Sequence, residues 1–197
     1  MSIQSSVPAD FVFIDDIIPT IKQNLRYNTN ENFMGHPLPG YSPMLAQRTV
    51  DYFFEWFKNS SDQSKKTYYY PNQDLKKPEI RDKYFTPTSG HSRGSTLDLT
   101  IIKLGKDVKE VNPVEQTLSD GRKILRLDDG SLDVGGSFDL FDDSSYHNTT
   151  LITDQQKEMR AYLKKVMDQH GFDAFVPEWW HYNLRDEPIL KLFSILM

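Results

Sequence analysis

Two short stretches of this chain contain residue types that could perform hydrolytic chemistry together. The first runs from Ser89 to Asp98 and supplies an imidazole and a carboxylate, those of His91 and Asp98. The second runs from Glu178 to His181 and supplies another carboxylate and another imidazole, separated by two tryptophans. A catalytic zinc site needs three protein ligands, an open fourth position for water and a nearby base. The sequence therefore indicates a zinc hydrolase.

The spacing of the first stretch suits two ligands on neighbouring structural elements. His91 and Asp98 are seven residues apart, with Gly94 between them, which predicts a loop with the histidine, a turn, and a strand with the aspartate. A lone histidine beside a glycine is more often a core or surface residue than a ligand. The second stretch is therefore needed to make the metal site convincing.

The second stretch predicts a bend. Residues i and i+2 of a strand share a face, whereas residues i and i+3 do not, so Glu178 and His181 meet only across a bend, which Pro177 favours. A glutamate that lies close to the metal without binding it can take a proton from water and pass it to a leaving amine. The two tryptophans either wall the site or pack in the core.

The elements around these stretches predict an α+β fold. Residues 48–58 form a candidate helix whose apolar positions Val50, Phe53, Phe54 and Phe57 follow helical spacing and predict a core face. Residues 97–102 are rich in β-branched types and predict a buried strand. Residues 123–127 lie between two Asp-Gly turn signals, which indicates a hairpin inserted after that central strand.

The last third of the chain predicts a capped helix followed by a strand. Thr153 and Gln156 match a capping box, Met159 to Met167 supply an apolar face, and Gly171 is typical of a left-handed C-terminal cap. Residues 172–182 then predict a strand that ends at the site. Together these elements indicate a small antiparallel sheet flanked by helices, in a single domain over residues 1–197.

Composition excludes several classes of function. The 197 residues are 38% hydrophobic and carry a net charge of −5, which suits an ordinary core and argues against nucleic-acid binding. The chain has no cysteine, so disulfides, thiolate nucleophiles and cysteine zinc sites are excluded. The N-terminal residues show neither a signal peptide nor a membrane span, and the expected location is the cytoplasm. Oligomeric state is not readable from these features.

The two stretches, taken at full length, resemble a known family. His91 to Thr100 reads HSRGSTLDLT and Glu178 to Tyr182 reads EWWHY, a combination similar to the D-alanyl-D-alanine dipeptidases of the vancomycin-resistance type. Residues 135–139, 39–41 and 47–53 also resemble blocks of that family. The likeness runs from about residue 10 to residue 188, with gaps.

The resemblance implies a role for each site residue. It implies that His91, Asp98 and His181 bind one zinc ion per chain, and that Glu178 is the general base and acid. It implies a small dipeptide as substrate, held by Ser89 and by Asp139, with Asp139 near the free amino group. The other histidines, which we expect to be solvated loop residues, are His36, His147 and His170.

One segment departs from the family pattern. An arginine that stabilises the oxyanion is expected before the helix at residue 48, but Leu45 or, in another alignment, Ser42 occupies its place. About 30 family residues are also missing after Tyr41. Loss of one oxyanion donor typically costs about 10²–10³ in rate. The chain is therefore an active dipeptidase, a zinc-binding but impaired relic or partner-binding module, or an incomplete gene product.

Overall fold

The computed structural model describes residues 14–38, 47–86 and 89–187, except for the side chains of residues 14, 15, 47–51 and 92. Its α-helices are α1 (Ile14–Ile17), α2 (Gln47–Asn59), α3 (Lys66–Tyr69), α4 (Pro78–Tyr84) and α5 (Asp154–Gln169). Its strands are β1 (Thr96–Asp98), β2 (Asn112–Thr117), β3 (Lys123–Asp128), β4 (Phe172–Ala174) and β5 (His181–Leu184). Three 3₁₀ turns cover Arg26–Asn28, Gly90–Arg93 and Asp143–Ser145. The predicted α+β class is confirmed.

The larger sheet has three antiparallel strands in the order β1-β5-β4. The prediction of a central strand over residues 97–102 is wrong in two respects, because β1 covers only 96–98 and lies at an edge. Strand β5 is central since it pairs with β1 on one side and β4 on the other. Beyond Asp98 the chain leaves the sheet after one more backbone hydrogen bond, from Leu99 to the carbonyl of Trp180.

Residues 172–184 form two strands joined by a turn, not one strand that ends at the site. Strand β4 stops at Ala174, and β5 begins at His181. The turn is fixed by two backbone hydrogen bonds, from Glu178 to the carbonyl of Phe175 and from His181 to the carbonyl of Glu178. The predicted bend between Glu178 and His181 is therefore present, and the site lies where β5 starts.

Helix α5 packs beside this sheet, as its sequence signals predict. The Thr153 hydroxyl accepts from the Gln156 backbone and the Gln156 side chain accepts from the Thr153 backbone, which completes the capping box. Gly171 follows the helix with a left-handed φ of +84°. The buried side chains that unite this helix with the sheet region are Val134, Leu163, Met167, Trp179, Trp180 and Tyr182.

Helix α2 supports a second, aromatic core. Trp56 and Phe57 are buried, and the ring of Phe57 stacks on Phe33, which is itself fully buried. Of the predicted core face, Phe57 is buried, Phe53 and Phe54 are partly buried, and the side chain of Val50 lies outside the described residues. Phe141 contacts the same cluster, so the core also anchors the loop that follows β3.

Strands β2 and β3 form the predicted hairpin as a separate two-stranded sheet. The hairpin is joined to the loop after it because the backbone N–H of Leu127 donates to the Ser137 hydroxyl at 2.6 Å. That loop carries Asp139, so the hairpin helps to position a candidate site residue. Within the described residues, no helix is both long and apolar enough to cross a membrane.

Candidate metal centre

The register of β1 and β5 brings two candidate ligands together. Asp98 lies directly opposite His181 in the antiparallel pair. Side chains of opposed residues project from the same face with their Cβ atoms about 5 Å apart. The His181 Nδ1 accordingly lies 3.2 Å from a carboxylate oxygen of Asp98. The pairing of β1 with β5 therefore positions two of the three candidate ligands.

His91 reaches the same carboxylate from the 3₁₀ turn before β1. The Ser89 hydroxyl accepts from the His91 backbone N–H at 3.3 Å and so caps the turn. Gly94, with a left-handed φ of +79°, ends it. This tight turn places His91 Nε2 3.4 Å from the other carboxylate oxygen of Asp98.

The three ligand atoms fit a divalent metal with nitrogen and oxygen ligands. Those of His91, Asp98 and His181 all lie within 4.8 Å of one another. Tetrahedral zinc with bonds of about 2.0–2.1 Å requires ligand atoms roughly 3.3 Å apart. Each imidazole has an Asp98 oxygen at about this distance, His91 at 3.4 Å from one oxygen and His181 at 3.2 Å from the other. Two imidazoles and one carboxylate form a donor set typical of catalytic zinc.

Glu178 lies beside this cluster, in the turn that precedes β5. Its carboxylate oxygen is 3.4 Å from His181 Nδ1, and the residue is buried. The two tryptophans that follow are also buried and pack in the core, so core packing is confirmed for them. Glu178 is thus held rigidly next to the candidate ligands.

Burial and the neighbouring charges together set the pKa values of the four side chains in the cluster. Burial lowers the pKa of His91. Burial opposes ionisation of Asp98, but the two imidazoles outweigh it and bring its pKa below the ordinary value. Burial also opposes protonation of His181, yet the carboxylates of Asp98 and Glu178 raise its pKa to about 10. Burial raises the pKa of Glu178, partly offset by His181. A carboxylic acid whose pKa is shifted upward is suited to both accepting and donating a proton near neutral pH.

Asp139 lies in a second acidic region of the site. It is buried, has a left-handed φ of +58°, and accepts a short hydrogen bond from the Tyr27 hydroxyl. Burial raises its pKa and the negative charges of Asp98 and Glu178 raise it further, whereas the Tyr27 hydrogen bond and the charge of Arg26 act in the opposite direction. Burial dominates, so the pKa of Asp139 lies well above its ordinary value.

Tyr27 is the residue that sequence reasoning missed. Burial and the Asp139 carboxylate raise its pKa, and Asp98 and Glu178 contribute in the same direction. Tyr27 lies in an irregular, asparagine-rich stretch 112 residues from Asp139, and no local pattern connects the two. A signal could have come only from long-range contact information.

The remaining histidines do not join the cluster in the described structure. His170 is exposed, as expected, and His36 is partly exposed with its ring nitrogen beside the Pro37 carbonyl. For His147, the expectation of a solvated loop residue is wrong. Its Nε2 is buried, its ring packs against Tyr182, and burial lowers its pKa to about 4.

The positions at which the family arginine was expected lie outside the described residues, which do not include 39–46 or the Arg48 side chain. Arg93, a possible substitute, directs its guanidinium to Glu187 at 2.5 Å. Among the described side chains, no arginine forms an ion pair or hydrogen bond with any member of the cluster. The arginines whose guanidinium partners lie elsewhere include Arg26, Arg93, Arg122, Arg160 and Arg185.

Comparison with known proteins adds independent information. A family model described as D-ala-D-ala dipeptidase matches residues 112–195. A D-alanyl-D-alanine dipeptidase of Enterococcus faecium is 30% identical over 210 residues, covering 90% of this chain and 93% of that protein. Those of Enterococcus faecalis (30%, covering 90% and 93%) and Streptomyces coelicolor (28%, covering 91% and 93%) are similar over comparable lengths.

The first alignment includes positions at which this chain has no residue. Because 90% of 197 residues is about 177 residues, about 33 of the 210 aligned positions are of this kind. The similarity nevertheless extends over nearly the whole length of both proteins.

Proposed function

This chain belongs to the D-alanyl-D-alanine dipeptidase family and is a metallopeptidase, and on that premise we propose that it hydrolyses D-alanyl-D-alanine or a similar small dipeptide with the help of zinc. The observation that carries the proposal is the convergence of His91, Asp98 and His181, with Glu178 adjacent. These four side chains provide three ligands and one base, as hydrolysis by a metal-activated water requires.

We propose that the metal is zinc, held by His91, Asp98 and His181. The ligand types and their mutual distances support this choice. Bound zinc would lower the pKa of a water towards neutrality and polarise the scissile carbonyl.

We assign the proton transfers to Glu178. Its raised pKa allows the carboxylate to take the proton of the attacking water and then to donate it to the amine of the leaving alanine. Burial of the residue in a fixed turn keeps its carboxylate in place through both transfers. Such a base contributes typically about 10²–10⁴ to the rate.

We propose that Asp139 binds the free amino group of the dipeptide, with Tyr27 as its positioning partner. Asp139 is a buried carboxyl group whose hydrogen-bond partner is a phenol, and an ammonium would supply a charged partner. Ser89 remains a proposed substrate contact, although its hydroxyl also accepts from the His91 backbone. We also propose a cytoplasmic role in the turnover of cell-wall dipeptides, with which a cysteine-free chain is compatible.

The decisive experiment measures free alanine released from D-alanyl-D-alanine by the zinc-loaded full chain. We expect turnover that is absent from Glu178→Ala and abolished by a chelator, then restored by added zinc. L-alanyl-L-alanine serves as the substrate control for stereochemistry. Release no faster than that by Glu178→Ala would contradict the proposed activity, and a protein without bound metal would contradict the proposed centre.

A further inference from the structure

Gly90 packs directly against Thr96, and the contact leaves no room for a side chain. A Cβ atom on Gly90 would lie 2.1 Å from the Thr96 hydroxyl oxygen and 3.2 Å from the Asn183 side-chain oxygen. Real Cβ atoms essentially never approach another heavy atom more closely than 3.0 Å. The φ of Gly90 is not in the left-handed region, so the requirement for glycine arises from this contact and not from backbone conformation.

A hydrogen bond to Asn183 fixes the side chain of Thr96. Thr96 is buried, and its hydroxyl donates to the Asn183 side-chain oxygen at 2.7 Å. The two residues also face each other in the register of β1 and β5. Since the hydroxyl is part of a paired, buried contact, a clash at Gly90 is not relieved by a free side-chain rotation. The 3₁₀ turn would have to move away from β1.

That turn carries His91, the residue directly after Gly90. The Nε2 atom of His91 lies 3.4 Å from the carboxylate of Asp98, which is two residues beyond Thr96 on β1. Residues that orient a metal ligand without binding the metal typically contribute about 10–100-fold to metal affinity. A turn displaced from β1 would lengthen the distance between His91 and Asp98 and so weaken metal binding.

We propose that Gly90 and Thr96 form a steric pair that positions His91 for metal binding. Gly90 lets the Gly90–Arg93 turn sit against β1, because it places no side chain where the Thr96 hydroxyl lies. Gly90 is therefore a positioning residue, since it supplies no metal ligand, and Thr96 is the neighbour that makes glycine necessary. The inference rests on the proposed zinc centre and adds to it a determinant outside the ligand set.

The test compares zinc affinity among the wild type, Gly90→Ala and two double variants, by competition with a chromophoric chelator. We expect Gly90→Ala to bind zinc about 10–100-fold more weakly. Adding Thr96→Ala removes the clashing oxygen and is expected to restore affinity to within about threefold, since the turn can again sit against β1. Adding Thr96→Val is the matched control, because valine keeps an atom at the clashing position, and no recovery is expected.

Thr96→Ala alone should bind zinc like the wild type, and thermal unfolding of each metal-free variant shows whether it is folded. Wild-type affinity in Gly90→Ala overturns the proposal, and so does recovery in both double variants or in neither. If Gly90→Ala does not fold, recovery of folded, zinc-binding protein by Thr96→Ala but not by Thr96→Val is the supporting result.

The dipeptidase assay of the wild type separates this inference from the proposed function. A wild type that binds zinc but releases no alanine contradicts the proposed activity, while the variant affinities still decide the role of Gly90. A wild type that binds no zinc contradicts both.

Discussion

Asp98 on β1 and Asp139 in the loop after β3 lie in opposite electrostatic surroundings within one site. Asp98 faces two imidazoles, which lower its pKa below the ordinary value in spite of burial. Asp139 accepts a hydrogen bond from the Tyr27 phenol, and burial raises its pKa well above the ordinary value although Tyr27 and Arg26 act in the opposite direction. One aspartate is therefore stabilised as an anion by this chain alone, and the other is not.

Asp98 and Asp139 also differ in backbone conformation. Asp98 lies in a regular strand, opposite its partner His181, so its position follows from sheet register. Asp139 has a left-handed φ, which for a residue other than glycine costs of order 1 kcal/mol or more. A strained backbone and a carboxyl group that the chain does not hold as an anion fit the substrate contact that we propose for Asp139. We call the surroundings of Asp98 the metal region and those of Asp139 the substrate region, according to these proposed roles.

Removal of a candidate metal ligand is expected to have the largest effect on activity. His181→Ala removes a ligand and also the imidazole that stabilises Asp98. We expect loss of bound zinc and a fall in kcat/KM of at least about 10³-fold, because a catalytic metal contributes several kcal/mol to the transition state. Metal analysis and alanine release measure the two effects. His170→Ala, at an exposed histidine, is the control, and an equal loss there would show that the effect is unspecific.

Asp139→Asn tests the substrate region and should leave the metal in place. A charge-assisted hydrogen bond contributes about 1.5–3 kcal/mol, so we expect KM to rise about 10–100-fold while zinc stoichiometry stays at one. Steady-state kinetics and metal analysis on the same sample give both numbers. Asp143→Asn, at an exposed aspartate of the same loop, is the matched control. Loss of zinc from Asp139→Asn would contradict the separation of the two regions.

The residues themselves pointed to His91, Asp98, His181 and Glu178, whereas Asp139 came only from the family resemblance and Tyr27 from neither. The residue types and the bend between Glu178 and His181 follow from local rules about strands and prolines. The central position of β5 does not, because it depends on pairing with β1, which is more than 80 residues away. Similarly, the contact of Tyr27 with Asp139 joins residues 112 apart. Local patterns carry no information on such pairings.

His147 and residues 97–102 also differ from their predictions, for the same physical reason. His147 looks like a loop histidine in the sequence, yet the chain folds back so that its ring packs on Tyr182. Residues 97–102 have strand propensity throughout, but only 96–98 find a regular strand partner. Propensity describes what a segment tolerates, whereas tertiary pairing decides where a strand ends.

The protonation of Asp139 predicts a gain in stability from a substitution that harms binding. A carboxyl whose pKa is raised by folding binds more protons when folded, so stability falls as pH rises above its unfolded pKa of about 3.9. Asp139→Asn lacks this loss and keeps an acceptor for Tyr27. We expect a higher Tm at pH 7 in the metal-free protein, by about 2–4 °C for each kcal/mol gained. The gain should shrink towards pH 4, and a gain independent of pH would mean that ionisation is not its cause.

The smallest expected effect distinguishes two roles of Ser89, which caps the turn that carries His91 and is also a proposed substrate contact. Loss of an N-cap costs about 1 kcal/mol, so Ser89→Ala should lower the Tm by about 2–4 °C. Asparagine is an equally good cap, and Ser89→Asn is therefore expected to keep the wild-type Tm. If capping is the main role, both variants keep the wild-type KM for D-alanyl-D-alanine. A KM that rises about tenfold in Ser89→Ala, with no change in Tm, would instead assign the hydroxyl to the substrate and move Ser89 from the metal region to the region around Asp139.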